Sequence, residues 1–148
     1  MSAGVMDALC PGARFAGVAR LPGYRLAFTR RSIRSGSGVA DVIADVRAET
    51  WGVLYELGAG DRAALDRKEG LGWAYVEMAV SVETGTGAAH DAFAYTVKDK
   101  QSEEVPPSAQ YLGALLSSAR ECGLPARYIA ELERRTALLA TRAGSRGS

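Results

Sequence analysis

The sequence predicts an α+β domain in which the strands come first and the helices last. Three observations point there. Residues 50–57 and 73–83 alternate apolar and polar side chains with period 2, the mark of half-buried strands. Residues 109–122 instead carry Tyr111, Leu112, Leu115, Leu116 and Ala119 at helical spacing. Strand patterns fill the first two thirds and helical patterns the last third, an order unlike alternating βαβ units. The 148 residues suffice for one domain with a sizeable core, and 47% hydrophobic with 24% charged residues is an ordinary globular composition.

Taken in order, residues 2–9 read as a short helix stopped by Cys10-Pro11-Gly12. Residues 14–21 and 24–29 read as two strands joined by a Pro22-Gly23 turn. An Arg-, Ser- and Gly-rich loop covers 30–37, and a third strand of small and β-branched residues covers 38–46. In the next strand Trp51, Val53, Tyr55 and Leu57 share a face. A helix over 61–69 follows, with Asp61 as its cap and Gly70 as its stop. The strand over 73–83 turns at Gly85-Thr86-Gly87 into residues 90–98, where Phe93, Tyr95 and Val97 share a face. Ser108 caps the helix over 109–122, Gly123 ends it, and Pro125 opens another helix reaching about Ala140. The expected domain is 1–141, with a polar, disordered tail over 142–148.

Composition excludes several functions. A net charge of +1 gives no drive toward nucleic acid. No apolar run approaches the roughly 20 residues of a membrane span. Without a secretory pattern the expected compartment is the cytoplasm. Cys10, Cys122 and the single His90 are not spaced as metal ligands, so neither metal nor cofactor is expected. Arg14 to Arg34 includes six arginines and no acid. They read as strand residues alternating into water rather than a phosphate patch, and Gly36-Ser37-Gly38 lacks the lysine of a phosphate loop.

Glu69 is the residue of interest. It stands in the last turn of its helix, where the unpaired carbonyls disfavour a negative charge. Partial burial would further suit such a carboxylate to general-base work. A solvated helix end is the other reading. Tyr75, Tyr95 and Tyr111 are either core aromatics or hydroxyls converging on a cleft beside Glu69.

Three stretches together resemble the γ-glutamylcyclotransferase family. The first is Cys10-Pro11-Gly12-Ala13-Arg14-Phe15 with Val18-Ala19-Arg20-Leu21 and Tyr24-Arg25-Leu26-Ala27-Phe28. The second is Trp51-Gly52-Val53-Leu54-Tyr55, then Leu65-Asp66, Glu69-Gly70 and Tyr75. The third is Pro106-Pro107-Ser108-Ala109-Gln110-Tyr111, then Gly123-Leu124-Pro125 and Tyr128. The resemblance implies a small mixed β-barrel with peripheral helices, a C-terminal helical segment and a cavity at one end. It also implies a reaction in which the α-amine of an L-γ-glutamyl amino acid attacks its own γ-carbonyl, giving 5-oxoproline and a free amino acid. Glu69 aligns with the family's acid/base, Tyr111 with a substrate-contacting tyrosine, and Tyr75, Tyr95 and Gly70 with positions around the same pocket. The implied partner is a small γ-glutamyl molecule, without nucleic acid or membrane, and the family leaves room for a homodimer.

The chemistry agrees. Intramolecular attack needs no protein nucleophile, only a base, a shaped cavity and donors for the oxyanion. One departure stands out. The family opens with a strand ending in a Tyr-Gly-Ser-Asn loop that binds the γ-glutamyl group, and no such motif precedes Arg14. The expectation is an N-terminally incomplete domain whose own activity is impaired. Two alternatives stay open: a non-catalytic binding module on the same fold, and removal of a γ-glutamyl protecting group from a biosynthetic intermediate.

Overall fold

The computed structural model describes residues 3–147. Ser2, where the first helix is expected to begin, and Ser148, the end of the expected tail, lie outside the described residues. Eight elements follow one another: α1 (Ala3–Leu9), β1 (Arg14–Arg31), β2 (Gly38–Glu56), α2 (Asp61–Glu69), β3 (Tyr75–Thr84), β4 (Ala89–Val97), α3 (Ala109–Glu121) and α4 (Ala126–Arg146). The α+β class is as expected.

The strand boundaries differ from the sequence reading. Pro22-Gly23 is not a turn, and residues 14–31 form one strand of 18 residues. Its partner β2 is likewise continuous over 19 residues, merging the two segments expected at 38–46 and 50–57. Pro22 pairs with Glu49 and Tyr24 with Ala44, so residues 45–48 bulge out opposite Gly23. Proline has no N–H for a ladder bond and glycine accepts the left-handed φ of 80°, so the dipeptide bends the strand rather than ending it. Val46, at the crest of this bulge, is 95% exposed.

β3 and β4 form the expected hairpin. It runs from Tyr75 opposite Val97 to Glu83 opposite Ala89. Gly87, with φ 79°, bonds Thr84 O at the turn. β1 meets β3 only through Ala19–Thr84 and Arg20–Glu83, giving the order β2-β1-β3-β4 with every ladder antiparallel. The two terminal strands nevertheless touch at one end. Val97 N–H donates to Asp41 Oδ1 at 3.0 Å and Thr96 Oγ1 to Val42 O at 3.3 Å. The sheet therefore curls until its edges meet, the barrel tendency of a twisted sheet.

Among the described residues many of the buried apolar side chains gather in three clusters. Ala19, Leu21 and Val82 pack between β1 and β3. Met6, Cys10 and Leu65 pack under α1 and α2 with Tyr55, Leu57 and Tyr95. Leu116, Ala119, Ile129 and Leu132 join α3 and α4 to Leu26. Ser108 caps α3, its hydroxyl accepting from Tyr111 N–H at 3.1 Å. α4 continues through Arg146, past Thr141 where a polar tail is expected, and Arg146 pairs with Glu103 at 2.7 Å. Asp61 is not the cap of α2; Gly60 holds that position. The buried Asp61 carboxylate instead reaches back to accept from Gly58 N–H at 2.8 Å.

Three of the six arginines in the arginine-rich stretch are paired with acids in space. Arg20 pairs with Glu49 and Glu83, Arg25 with Asp45 and Glu104, and Arg14 with Glu56. Arg30 lies over the Trp73 ring at 5.6 Å. The acids come from other strands and loops, which is why the run looks basic in sequence alone. Among the described residues no helix is long and apolar enough to cross a membrane, and no cluster of metal-ligating side chains occurs.

Candidate active site

The end of α2 sets the site. Gly70 adopts φ 64° and ψ 53°; its N–H bonds Arg67 O, while Leu71 N–H bonds Asp66 O. These two bonds make the left-handed stop expected for Gly70. The Gly70 carbonyl then accepts from the N–H groups of Trp73, Ala74 and Tyr75, which swings the chain directly into β3. Trp73 folds over the glycine so closely that a Cβ there would lie 2.6 Å from the indole. Gly70 thus fixes the angle between Glu69, last residue of α2, and Tyr75, first residue of β3. Glu69 is half-buried.

Glu69 lines a cavity of about 570 Å³ between the far ends of β2 and β4. Val53, Leu54, Tyr55 and Leu57 form one wall, with Asp91, Ala92, Phe93 and Tyr95 opposite. Leu65 and Arg62 complete it from α2, with Arg62 stacked 4.4 Å over Phe93 and paired with Glu77. The lining is mostly apolar with a few charged groups near its mouth, the usual makeup of a small-molecule site.

The three tyrosines fall into two arrangements. Tyr95 shares the cavity wall with Glu69, and its hydroxyl donates to Asp66 Oδ1 at 2.6 Å. Tyr75 and Tyr111 are outside that wall and meet at one residue of β2. Ala40 N–H donates to Tyr111 Oη at 3.0 Å, and Tyr75 Oη donates to Ala40 O at 3.4 Å. The Glu69 charge nonetheless reaches every one of these hydroxyls. Burial pushes Tyr75 up to about 12, with the charges of Tyr111 and Glu69 adding to it. Burial likewise raises Tyr95, helped by its bond to Asp66 and by the Glu77 and Glu69 charges. Tyr111 is raised by burial and by Glu69, against the pull of the Ala40 N–H. All three hydroxyls keep their protons at neutral pH; Tyr75 and Tyr95 already donate theirs to Ala40 O and Asp66, which leaves the Tyr111 hydroxyl with a proton free for a ligand.

The structure therefore brings Glu69, Tyr75, Tyr95 and Tyr111 into one electrostatic neighbourhood, with Gly70 as its corner. Two participants are not assigned a role by the residue pattern, although Asp66 lies in one of the stretches that carry the resemblance. Ala40 enters through its backbone. Asp66, which holds Tyr95, looks like any exposed helical acid. Asp41 carries a faint signal, a lone carboxylate in the otherwise small and apolar run Gly38-Val39-Ala40-Asp41-Val42-Ile43.

The likeness to known proteins covers this whole frame. A family model described as the AIG2-like family matches residues 49–132, from β2 through the first turns of α4. The gamma-glutamylcyclotransferase of Bos taurus is 32% identical over 123 residues, covering 80% of this chain and 64% of the relative. That of Homo sapiens is 30% identical over 128 residues, covering 83% of this chain and 67% of the relative. The chain thus spans about two thirds of the length of these curated relatives. A solved structure described as gamma-glutamyl cyclotransferase superposes with a TM-score of 0.81 at 28% identity, covering 89% of this chain and 80% of that one.

Proposed function

The chain belongs to the γ-glutamylcyclotransferase family, and on that premise we propose that it binds L-γ-glutamyl amino acids and cyclises them to 5-oxoproline. Glu69 is the acid/base in this reading. It carries protons from the substrate's α-ammonium to the departing amine, two in all, so that the lactam keeps one N–H and the amine leaves as an ammonium. The α-nitrogen forms the new bond to the γ-carbon as the old amide C–N bond breaks. Tyr111 contacts the substrate through its free hydroxyl proton, and Tyr75 and Tyr95 stand near the same pocket. The observation that carries the reading is a half-buried Glu69 in the cavity wall beside Tyr95, at the Gly70 corner that leads into Tyr75.

General acid/base catalysis by one group contributes about 10²–10⁴-fold. Orientation of the curled substrate contributes more, because effective molarities of intramolecular reactions are large. A shaped cavity that holds the substrate curled fits this division of labour better than a reactive side chain would.

The experiment is release of 5-oxoproline from γ-glutamyl-alanine by this chain, beside its Glu69→Gln variant. The expected result is turnover that falls by at least about 100-fold in the variant at unchanged thermal stability. Equal turnover in both proteins would remove Glu69 from the mechanism. Saturable binding of γ-glutamyl-alanine without turnover in either would favour a binding module on this fold.

A further inference from the structure

Asp41 stands near the start of β2 with a side chain that is wholly shielded from solvent. A carboxylate so placed loses its hydration and needs several donors in return. It has them from four directions. Thr29 Oγ1 of β1 donates at 2.6 Å. Thr96 Oγ1 and Val97 N–H of β4 donate at 2.8 and 3.0 Å. Lys100 Nζ donates at 2.8 Å, and Val42 N–H of β2 itself at 2.8 Å. Burial pushes the Asp41 carboxyl up, but the bonds from Lys100, Thr29, Val97 and Thr96 outweigh it and hold the group below its ordinary value. Asp41 is thus the fastening between the first and last strands of the sheet.

The residue before it is the one that clamps Tyr75 and Tyr111. Ala40 is available for this because the sheet is irregular there. Ala27 pairs with Asp41 and Arg30 with Val39, so Phe28 and Thr29 of β1 together face the single residue Ala40. The two bulged residues turn their backbone groups outward. Phe28 O accepts from Val105 N–H and Thr29 O from Gln101 N–H. Ala40 has no partner in the β1 register, and both of its peptide groups are spent on tyrosine hydroxyls. A bulge leaves a strand locally loose unless something else fixes it. An apolar side chain at position 41 would pack without the desolvation cost, but it would leave Val97 N–H without its acceptor.

We propose that Asp41 is the positioning residue of the Glu69 site, holding the Ala40 peptide in the one place from which it orients the Tyr111 and Tyr75 hydroxyls. It touches no reacting atom and acts through Ala40. Its kinetic consequence rests on the reading of this site as a γ-glutamyl site; its structural consequence does not.

The test is amide hydrogen exchange at Ala40, followed by NMR in the full chain at neutral pH. Amides of Val18 to Arg20 in the β1–β2 ladder serve as the internal standard. In Asp41→Asn the Ala40 amide should exchange about 10-fold faster relative to that standard, the equivalent of one hydrogen bond. Tyr111→Phe removes the acceptor of that amide and should give a similar acceleration. The double variant should exchange no faster than Tyr111→Phe alone, because both act on one bond. If Asp41→Asn does not fold, Thr96→Val removes one of the Asp41 donors, together with the acceptor of one Lys100 bond, and should still give about 3-fold. Uniform acceleration of every amide would overturn the proposal and reduce Asp41 to a stability role. An unchanged Ala40 amide would overturn it as well. Where the wild type turns over γ-glutamyl-alanine, Asp41→Asn should raise KM about 5-fold or more with kcat little changed, because the displaced groups hold substrate rather than move protons. A wild type without turnover would defeat the functional reading and leave the exchange result to decide this one.

Discussion

The two ends of the same strand pair, β2 and β4, are built on opposite principles. At the Asp41 end the strands are drawn together by one buried carboxylate and its donors. At the Val53–Leu57 end they stand apart across an apolar cavity, with Glu69 at its wall. The difference separates rigidity from room. A polar network in a low-dielectric interior is directional and tolerates little displacement. Apolar walls are not directional and can face an open space until a ligand fills it. The closed end holds the tyrosine clamp still, and the open end supplies the volume.

The comparison can be broken from either side. The largest effect belongs to Glu69→Gln at the open end, where turnover of γ-glutamyl-alanine should fall by about 10²-fold or more. Its melting temperature should stay within the error of wild type, since among the described residues the Glu69 carboxylate has no hydrogen-bond or ion-pair partner. At the closed end Gly38→Ala should act on stability alone. A Cβ at Gly38 would lie 1.9 Å from Val105 O, and Gly38 N–H is also bonded to Pro106 O. The clash cannot be relieved by a side chain, so about 3 kcal/mol or more should be lost in urea unfolding.

Acid sharpens the contrast further. Asp41 has its folded pKa below its unfolded value. Its stabilisation is therefore complete above the ordinary carboxylate range, about pH 4, and is lost as pH falls through the lower folded value. Melting temperatures of wild type and Asp41→Asn should differ most near pH 7 and converge near pH 2. A gap that stays constant with pH would show that the charge contributes nothing. A smaller effect is expected from Tyr95→Phe, which removes the 2.6 Å bond to Asp66 at the cavity wall. About 1 kcal/mol should be lost near neutral pH. Because Tyr95 is raised, that contribution is present below about pH 10 and disappears at higher pH. Smallest of all is Arg14→Ala. Its pair with Glu56 is 76% and 67% exposed, and its removal should leave the unfolding midpoint unchanged.

Much of this was legible in the residues. The hairpin over β3 and β4, the Ser108 cap and the Gly70 stop follow from local rules that hold wherever such residues stand. Glu69 and the three tyrosines were also singled out by position in the chain. The errors share one cause. Pro22-Gly23 marks a break in regular pairing, but whether the break is a turn or a bulge depends on what the partner strand does. Here β2 supplies residues 45–48 to absorb it. Asp61 has the residue type of a cap, but close packing of Gly12 and Gly58 against its carboxylate draws it backward.

The sequence by itself determined the elements that rest on neighbours within a few residues: helix stops, the β-turn, the alternation of faces and the stripe that joins α3 to α4. Those depend on dihedral preferences and side-chain periodicity, which are local quantities. Only the tertiary structure decided the pairing of Asp41 with donors 12, 55, 56 and 59 positions away, and the use of the Ala40 peptide as a clamp. Backbone groups are identical at every residue, so no sequence pattern states which of them a bulge will release. A buried charge and an exposed one are written with the same letter, and burial is settled only when distant strands meet.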